Sequence, residues 1–388
     1  MDSLIYFTPS EIALELKASA KEKTLADVVQ VYRGSQEIDL SEFNLVIFGV
    51  QEDRVSQNEG CALGADVIRK KLYQLFPGDY KVNILDLGNI LKGDIIEDTY
   101  HAVTSVVKDC LKNKVVPIII GGSQDLTYAN YLAYEQLEQT VNITNIDSSF
   151  DLGTEQDEPL TDENFLRKII LSPNNFMFNY SAIGYQTYLV DVEQEKLMQE
   201  MYFDTFRLGQ IQKDLTLAEP LLRYTDLLSV DVNSIRFSEF KAYSNPNPNG
   251  FYGEEICQLM RYAGISDKLS SAGVYGYNPL FDERETGANM VAQMLWCFID
   301  GYYNRKGDFP LKDKADYQKF IVPLSNGEYT LSFYKSNKTD RWWIEVPYAS
   351  SKLKYERHQV VPCNYEHYQI ACKDEMPDIW WKTYQKLS

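Results

Sequence analysis

The chain of 388 residues has 44% hydrophobic and 24% charged side chains, enough for a buried core and unlike a disordered or collagen-like sequence. Its 56 acidic and 38 basic residues give a formal charge of -18, which repels phosphate backbones and anionic lipid surfaces and argues against nucleic acid or a membrane as partner. Met1-Asp2-Ser3-Leu4-Ile5-Tyr6 lacks the basic flank and apolar core of a signal peptide, and no run reaches the roughly 18 apolar residues of a membrane span, so a cytoplasmic location is expected.

Residues 1–43 carry a mixed helical pattern and read as an N-terminal extension. From 44 to 310, strand and helix patterns alternate, which predicts one large α/β domain. Its expected strands are Leu45-Val46-Ile47-Phe48, Val82-Asn83-Ile84-Leu85, Val115-Val116-Pro117-Ile118-Ile119-Ile120, Ile143-Thr144-Asn145-Ile146 and Leu227-Leu228-Ser229-Val230. They mostly lack polar alternation, as parallel strands covered on both faces do. Val103, Val106, Val107, Cys110 and Leu111 repeat at helical spacing, as do Val291, Met294, Leu295, Phe298 and Tyr302, and both stripes predict core-facing helices. Right-handed crossovers then gather the loops at the strands' carboxyl ends on one rim, where ligand chemistry belongs.

Residues 311–388 are β-rich and aromatic. Segments 320–324 and 329–333 flank Ser325-Asn326-Gly327, a hairpin signal, and the alternation of Trp342, Ile344 and Val346 predicts a third strand. Trp342-Trp343 and Trp380-Trp381 either pack this appendage onto the main domain, the simpler reading, or offer a surface to a protein partner. Cys61, Cys110, Cys257, Cys297, Cys363 and Cys372 are scattered without a CxxC pair and predict neither a disulfide framework nor a zinc site. Only His101, His358 and His367 are available as imidazoles, which limits any metal or acid–base chemistry.

Three expected strands end in polar motifs: Gly121-Gly122-Ser123-Gln124-Asp125-Leu126-Thr127, Asp147-Ser148-Ser149-Phe150-Asp151 and Asp231-Val232-Asn233. With Asn58-Glu59-Gly60, Gly64-Ala65-Asp66-Val67-Ile68-Arg69, Asp86-Leu87-Gly88, Ile183-Gly184-Tyr185-Gln186 and Tyr277-Asn278-Pro279-Leu280-Phe281-Asp282 followed by Thr286, this ordered set resembles the ureohydrolase superfamily of arginase, agmatinase and formimidoylglutamase, most closely the last. The resemblance spans roughly residues 44 to 304 and implies a three-layer arginase-like fold with a mainly parallel central sheet, to which the C-terminal segment is an appendage. It also implies a homo-oligomer.

In that family, the resemblance implies, the first motif supplies a histidine, the second Asp-x-His-x-Asp and the third Asp-x-Asp, which together hold two manganese ions and activate a bridging water. Here the first histidine position is Gln124; the second motif gives Asp147, Ser149 in place of histidine, and Asp151; the third gives Asp231 and Asn233. Both imidazoles and one carboxylate are gone, leaving three negative charges against the four positive charges of two divalent ions. The glutamate of the family's Glu-x-Asn-Pro segment, which helps hold the guanidinium, corresponds to Gly276. The loop that binds substrate in formimidoylglutamases is replaced by Gly153-Thr154-Glu155-Gln156-Asp157-Glu158-Pro159 and Thr161-Asp162-Glu163-Asn164-Phe165, acidic segments that repel a glutamate-derived substrate.

The leading expectation is therefore a ureohydrolase-fold protein without binuclear manganese catalysis, holding no cofactor and serving binding or assembly. The alternative is an altered hydrolase of amidine, guanidino or formimino C–N bonds, with Asp147, Asp151 and Asp231 and the oxygens of Gln124, Ser149 and Asn233 around one magnesium, calcium or manganese ion. A structural role for the same aspartates, capping helices and bonding loop amides with Gln124 and Asn233 as neutral partners, is simpler still. If these carboxylates are dry and unpaired, at least one has a raised pKa.

Overall fold

The computed structural model describes residues 1–81, 83–153, 158–310, 315–348 and 353–387. Val82, residues 154–157 of the acidic loop and residues 311–314 at the expected start of the C-terminal segment lie outside the described residues.

Among the described residues, ten strands form one sheet: β1 (Phe7–Thr8), β2 (Gln30–Val31), β3 (Leu45–Gln51), β4 (Ile84–Leu91), β5 (Val116–Ile120), β6 (Val141–Ile146), β7 (Met177–Tyr185), β8 (Asp204–Arg207), β9 (Leu227–Asp231) and β10 (Ser271–Tyr275). Their order is β1-β4-β3-β5-β10-β9-β6-β7-β8, with β2 also on β4. Every pairing except that of β1 with β4 is parallel. The fold is thus a mainly parallel sheet between helices, as the sequence predicts. Residues 1–43 contribute β1 and β2 to this sheet as well as short helices.

Apolar residues along each strand go alternately to the two faces. Ile118 and Ile120 of β5 join the core with the Gly64–Leu72, Gly253–Ile265 and Thr286–Tyr303 helices, whereas Ile119 faces the Ile96–Lys112 and Leu126–Gln136 helices. Burial on both faces explains the unbroken apolar runs. Strands β7, β8 and β10 were not among the expected ones. Met177–Tyr185 mixes Asn179 and Ser181 into its apolar residues, and Ser271–Tyr275 is built from small residues, so neither carries a β-branched run.

A second sheet, antiparallel, has the order β11 (Tyr317–Leu324), β12 (Tyr329–Ser336), β13 (Trp342–Glu345) and β14 (Val360–Cys363). The first two form the expected hairpin, with Leu324 opposite Tyr329. Phe178 and Tyr224 of the main sheet's side share a core with Leu331, Phe333, Ile344 and Trp380. Trp342, Trp343 and Trp380 are buried, which fits a packing role, while Trp381 is exposed. The contact is polar too: buried Arg223 donates to the carbonyls of Trp342 (3.2 Å) and Cys363 (3.0 Å), and its guanidinium lies 4.5 Å from the centre of the Trp343 ring.

Among the described residues, no helix is long and apolar enough to cross a membrane.

Candidate functional site: an aspartate cleft at the strand ends

Sheet register places the motifs. Ile120 pairs with Val274, Val274 with Val230, Val230 with Ile146, and Ile146 with Ile183, so one apolar row runs across β5, β10, β9, β6 and β7. All five residues enter the same core layer. The residues that follow, Gly121, Tyr275, Asp231, Asp147 and Gly184, leave the parallel strands at the same rim. Motifs up to 155 positions apart in the chain, from Gly121 to Gly276, are thereby brought to one cleft.

Local turns aim the side chains. Gly122 has φ +69°, and a Cβ there would stand 2.4 Å from the Glu52 carbonyl, so glycine lets the chain leave β5 against that backbone. Asp151 adopts φ +53°, a left-handed conformation that aspartate tolerates. Its oxygens accept from Ser149 Oγ at 2.8 Å and Asn145 Nδ2 at 3.0 Å. Asp147 Oδ1 accepts from the Ser148 amide at 2.5 Å and the Ser149 amide at 3.4 Å, whereas its buried Oδ2 has no hydrogen-bond partner. Asp231 caps the following turn by accepting the Asn233 amide at 2.7 Å, and receives the Tyr243 hydroxyl at 3.5 Å.

Two of the neutral replacements have partners outside the three aspartates. Gln124 Nε2 donates to Asn145 Oδ1 (2.8 Å) and Ser229 Oγ (3.2 Å), and Asn233 Oδ1 accepts the Asn247 amide (3.0 Å). Asn233 thus contacts Asp231 through its backbone and not through its side chain, contrary to the expectation that its amide would neutralise the cluster; the tight turn after β9 favours the backbone contact. Gly276, at φ +85°, lies against both Asp231 and Tyr243: a Cβ there would be 2.9 Å from Asp231 Oδ1 and 2.8 Å from Tyr243 Cε2. The aromatic ring stands beside the position from which the family's glutamate side chain would grow.

Burial raises the pKa of Asp147, and raises those of Asp151 and Asp231 well above the usual carboxylate range, with the Asp147 charge next in importance for both. Like charges in one buried cleft cannot all ionise, so the cluster retains protons that exposed aspartates would release. Asp162 adds a fourth carboxyl group, accepting from Ser56 Oγ and pushed up to about 7, chiefly by burial. Asp125, next to Gln124, is pushed up to about 6 by burial and accepts from Tyr100 at 2.6 Å.

Asp147, Ser149, Asp151, Asp231, Asn233, Gln124 and Gly276 all lie at this rim. Sequence reasoning did not assign roles to Asp162, Tyr243, Asn145 or Asn247. Asp162 lies in an acidic segment, but the other three carry no local signal. The histidines are elsewhere. His358 is buried against the C-terminal sheet, 2.8 Å from Thr140 Oγ1 and stacked 3.9 Å from the Phe178 ring centre; His101 meets Tyr6, and His367 accepts the Asn364 amide at its own helix start.

This donor set does not fit a binuclear manganese centre. It offers no imidazole, its amide and hydroxyl oxygens are neutral and weak manganese donors, and its three motif carboxylates fall one negative charge short of the four positive charges of two divalent ions. Among the described residues, no group of three or more His, Cys, Asp or Glu side chains has a metal-holding arrangement.

Residues 43–300 match the model of the arginase family. A formimidoylglutamase of Staphylococcus haemolyticus is 23% identical over 251 residues, covering 62% of this chain and 79% of that protein. One from Staphylococcus aureus is 25% identical over 249 residues, with the same coverage of 62% and 79%. Among solved structures, a formimidoylglutamase of Bacillus subtilis superposes with TM-score 0.65 at 17% identity, covering 73% of this chain and 92% of that one. A Trypanosoma cruzi formiminoglutamase crystallised with manganese gives TM-score 0.63 at 19% identity, covering 70% and 97%. At these identities the structural likeness establishes the fold alone.

Proposed function

Since residues 43–300 make this chain a member of the arginase family, we propose that it keeps the family's fold without binuclear manganese hydrolysis and uses it for binding or assembly. The observation that carries this reading is the chemistry of the replaced ligand positions: Gln124, Ser149 and Asn233 place neutral amide and hydroxyl groups where the resemblance expects two imidazoles and a carboxylate, and Asn233 Oδ1 already accepts the Asn247 amide. A homo-oligomer, a cytoplasmic location and a protein partner at the C-terminal sheet belong to the same proposal. Trp381, exposed on the Asp378–Leu387 helix, is the tryptophan of that segment open to such a partner.

The test is release of ammonia, formamide or urea from formimidoylglutamate, agmatine and arginine, with manganese supplied. No turnover is expected. Turnover that disappears in Asp231→Ala would overturn the proposal.

One observation favours a second reading, an altered hydrolase with a single oxygen-ligated ion: Asp147 Oδ2 is buried without a partner beside Asp151 and Asp231. Calorimetric titration with magnesium, calcium and manganese separates the two, because the first reading expects no saturable heat and the second expects one ion per chain, lost in Asp147→Asn.

A further inference from the structure

Away from the rim, the Gly253–Ile265 and Thr286–Tyr303 helices pack side by side on one face of the main sheet. Two glycines bring their backbones together. A Cβ at Gly264 would stand 2.2 Å from the Phe298 carbonyl oxygen, and one at Gly301 would stand 2.6 Å from that of Arg261. Such contacts allow axes at or below the short end of the roughly 8–10 Å usual for helix pairs. Cys257 lies one turn before Arg261, and Cys297 immediately precedes Phe298, so the close crossing turns these two side chains towards each other.

Both cysteines are half-buried, and both line one cleft of about 710 Å³ whose apolar wall includes Phe76, Met290 and Trp296. One turn before Cys257, a Cβ at Gly253 would stand 2.5 Å from Met290 Cε, so the two helices stay in contact along the stretch that carries both thiols. The neighbouring thiol, as the largest influence on each, holds the Cys297 thiol below its ordinary range and pushes that of Cys257 up; Arg261 also favours the Cys297 thiolate. Cys61, Cys110 and Cys363 are buried, and Cys372 is exposed. The 257–297 pair alone combines a neighbouring thiol, an activated sulfur and access from a cleft among the described cysteines.

We propose that Cys257 and Cys297 form a redox-modification site, a dithiol that a hydroperoxide closes to a disulfide across the two helices. The Cys297 thiolate attacks a peroxide oxygen: an S–O bond forms, the O–O bond breaks, and the departing alkoxide or hydroxide takes up a proton. The Cys257 sulfur then attacks the sulfenic sulfur; the S–S bond forms, the S–O bond breaks, and hydroxide leaves as water with the Cys257 proton. Two thiols and one hydroperoxide become one disulfide, one alcohol or water, and one further water. The Gly253–Ile265 helix follows the segment that carries Tyr243 and Asn247, and the Thr286–Tyr303 helix follows Gly276, so the crosslink joins two helices that each continue from a wall of the aspartate cleft.

The experiment treats the full chain with hydrogen peroxide and maps its peptides without reduction. Accessible thiols are expected to fall from six to four under denaturing assay, with Cys257 linked to Cys297 and the link reversed by dithiothreitol. Cys257→Ser is expected to leave Cys297 as a sulfenic acid captured by dimedone, and Cys297→Ser to leave Cys257 unreacted. A map in which Cys372 is oxidised while Cys257 and Cys297 remain thiols would overturn the proposal. So would a wild-type Cys297 that accumulates dimedone adduct to the same extent as the Cys257→Ser variant, or a Cys257 oxidised at the wild-type rate in Cys297→Ser. The wild-type map decides the matter even if either variant fails to fold.

Discussion

Gly276 and Asp231 stand so close that a Cβ on the glycine would lie 2.9 Å from the aspartate's Oδ1, while the Tyr243 ring closes the other side at 2.8 Å. The position that in ureohydrolases supplies a guanidinium-binding glutamate is therefore occupied, in effect, by an aromatic ring and a backbone at φ +85°. Gly276→Glu is expected to lower stability by about 2–4 kcal/mol, from left-handed strain and overpacking, without creating hydrolysis. Urea unfolding together with ammonia release checks both parts; an unchanged midpoint would mean that the ring moves aside freely.

Restoring ligands one at a time is expected to fail for a different reason. Ser149→His supplies one imidazole but leaves Gln124 bonded to Asn145 and Asn233 bonded to Asn247. Combining Gln124→His, Ser149→His and Asn233→Asp recreates two imidazoles and four carboxylates, and saturable manganese binding by calorimetry is expected in this triple variant and in none of the single ones. Manganese binding by wild type at two ions per chain would contradict the premise.

The buried carboxyl groups set a pH dependence. Asp162 is raised from 3.8 to about 7 and Asp125 from 3.8 to about 6. The folded state therefore holds protons that the unfolded chain has released, so their contribution is fully present below pH 3.8 and is lost as pH rises through about 6 to 7. Asp162→Asn is expected to remove part of this fall and to stabilise the chain at pH 8 by roughly 1–3 kcal/mol relative to wild type. Denaturation midpoints at pH 5 and 8 measure the difference, and equal shifts at both would show that the carboxyl group is not the cause.

Arg223 joins the main domain to the C-terminal sheet. Its guanidinium donates to two strand carbonyls, pairs with Glu219 at 3.2 Å and covers the Trp343 ring. Arg223→Ala leaves those carbonyls and Glu219 without that donor, and a loss of about 2–4 kcal/mol is expected. Tryptophan fluorescence should report it, since Trp342 and Trp343 are buried at this contact.

The strands that pack on both faces were legible because an apolar run such as Val116–Ile120 signals itself within five residues. Strand β7 was not, because Asn179 and Ser181 find their partners only in the fold: Asn179 Nδ2 donates to Asp204 Oδ2 at 3.0 Å on the neighbouring strand. The ligand replacements at Gln124, Ser149 and Asn233 were likewise read position by position. What those side chains do instead of binding metal was not, since Gln124 reaches Ser229 across 105 positions of chain.

The amino-acid sequence by itself determined the layered α/β class, the family and which carboxylates and imidazoles exist to do chemistry, because periodicity and motif wording are local and composition is absolute. Only the tertiary structure decided that Tyr243 and Asp162 join the aspartates, that Asp147 keeps one oxygen unpaired, and that Cys257 meets Cys297. Those outcomes depend on sheet register and on helix axes drawn together at Gly264 and Gly301, and contacts between distant segments leave no pattern in either segment alone.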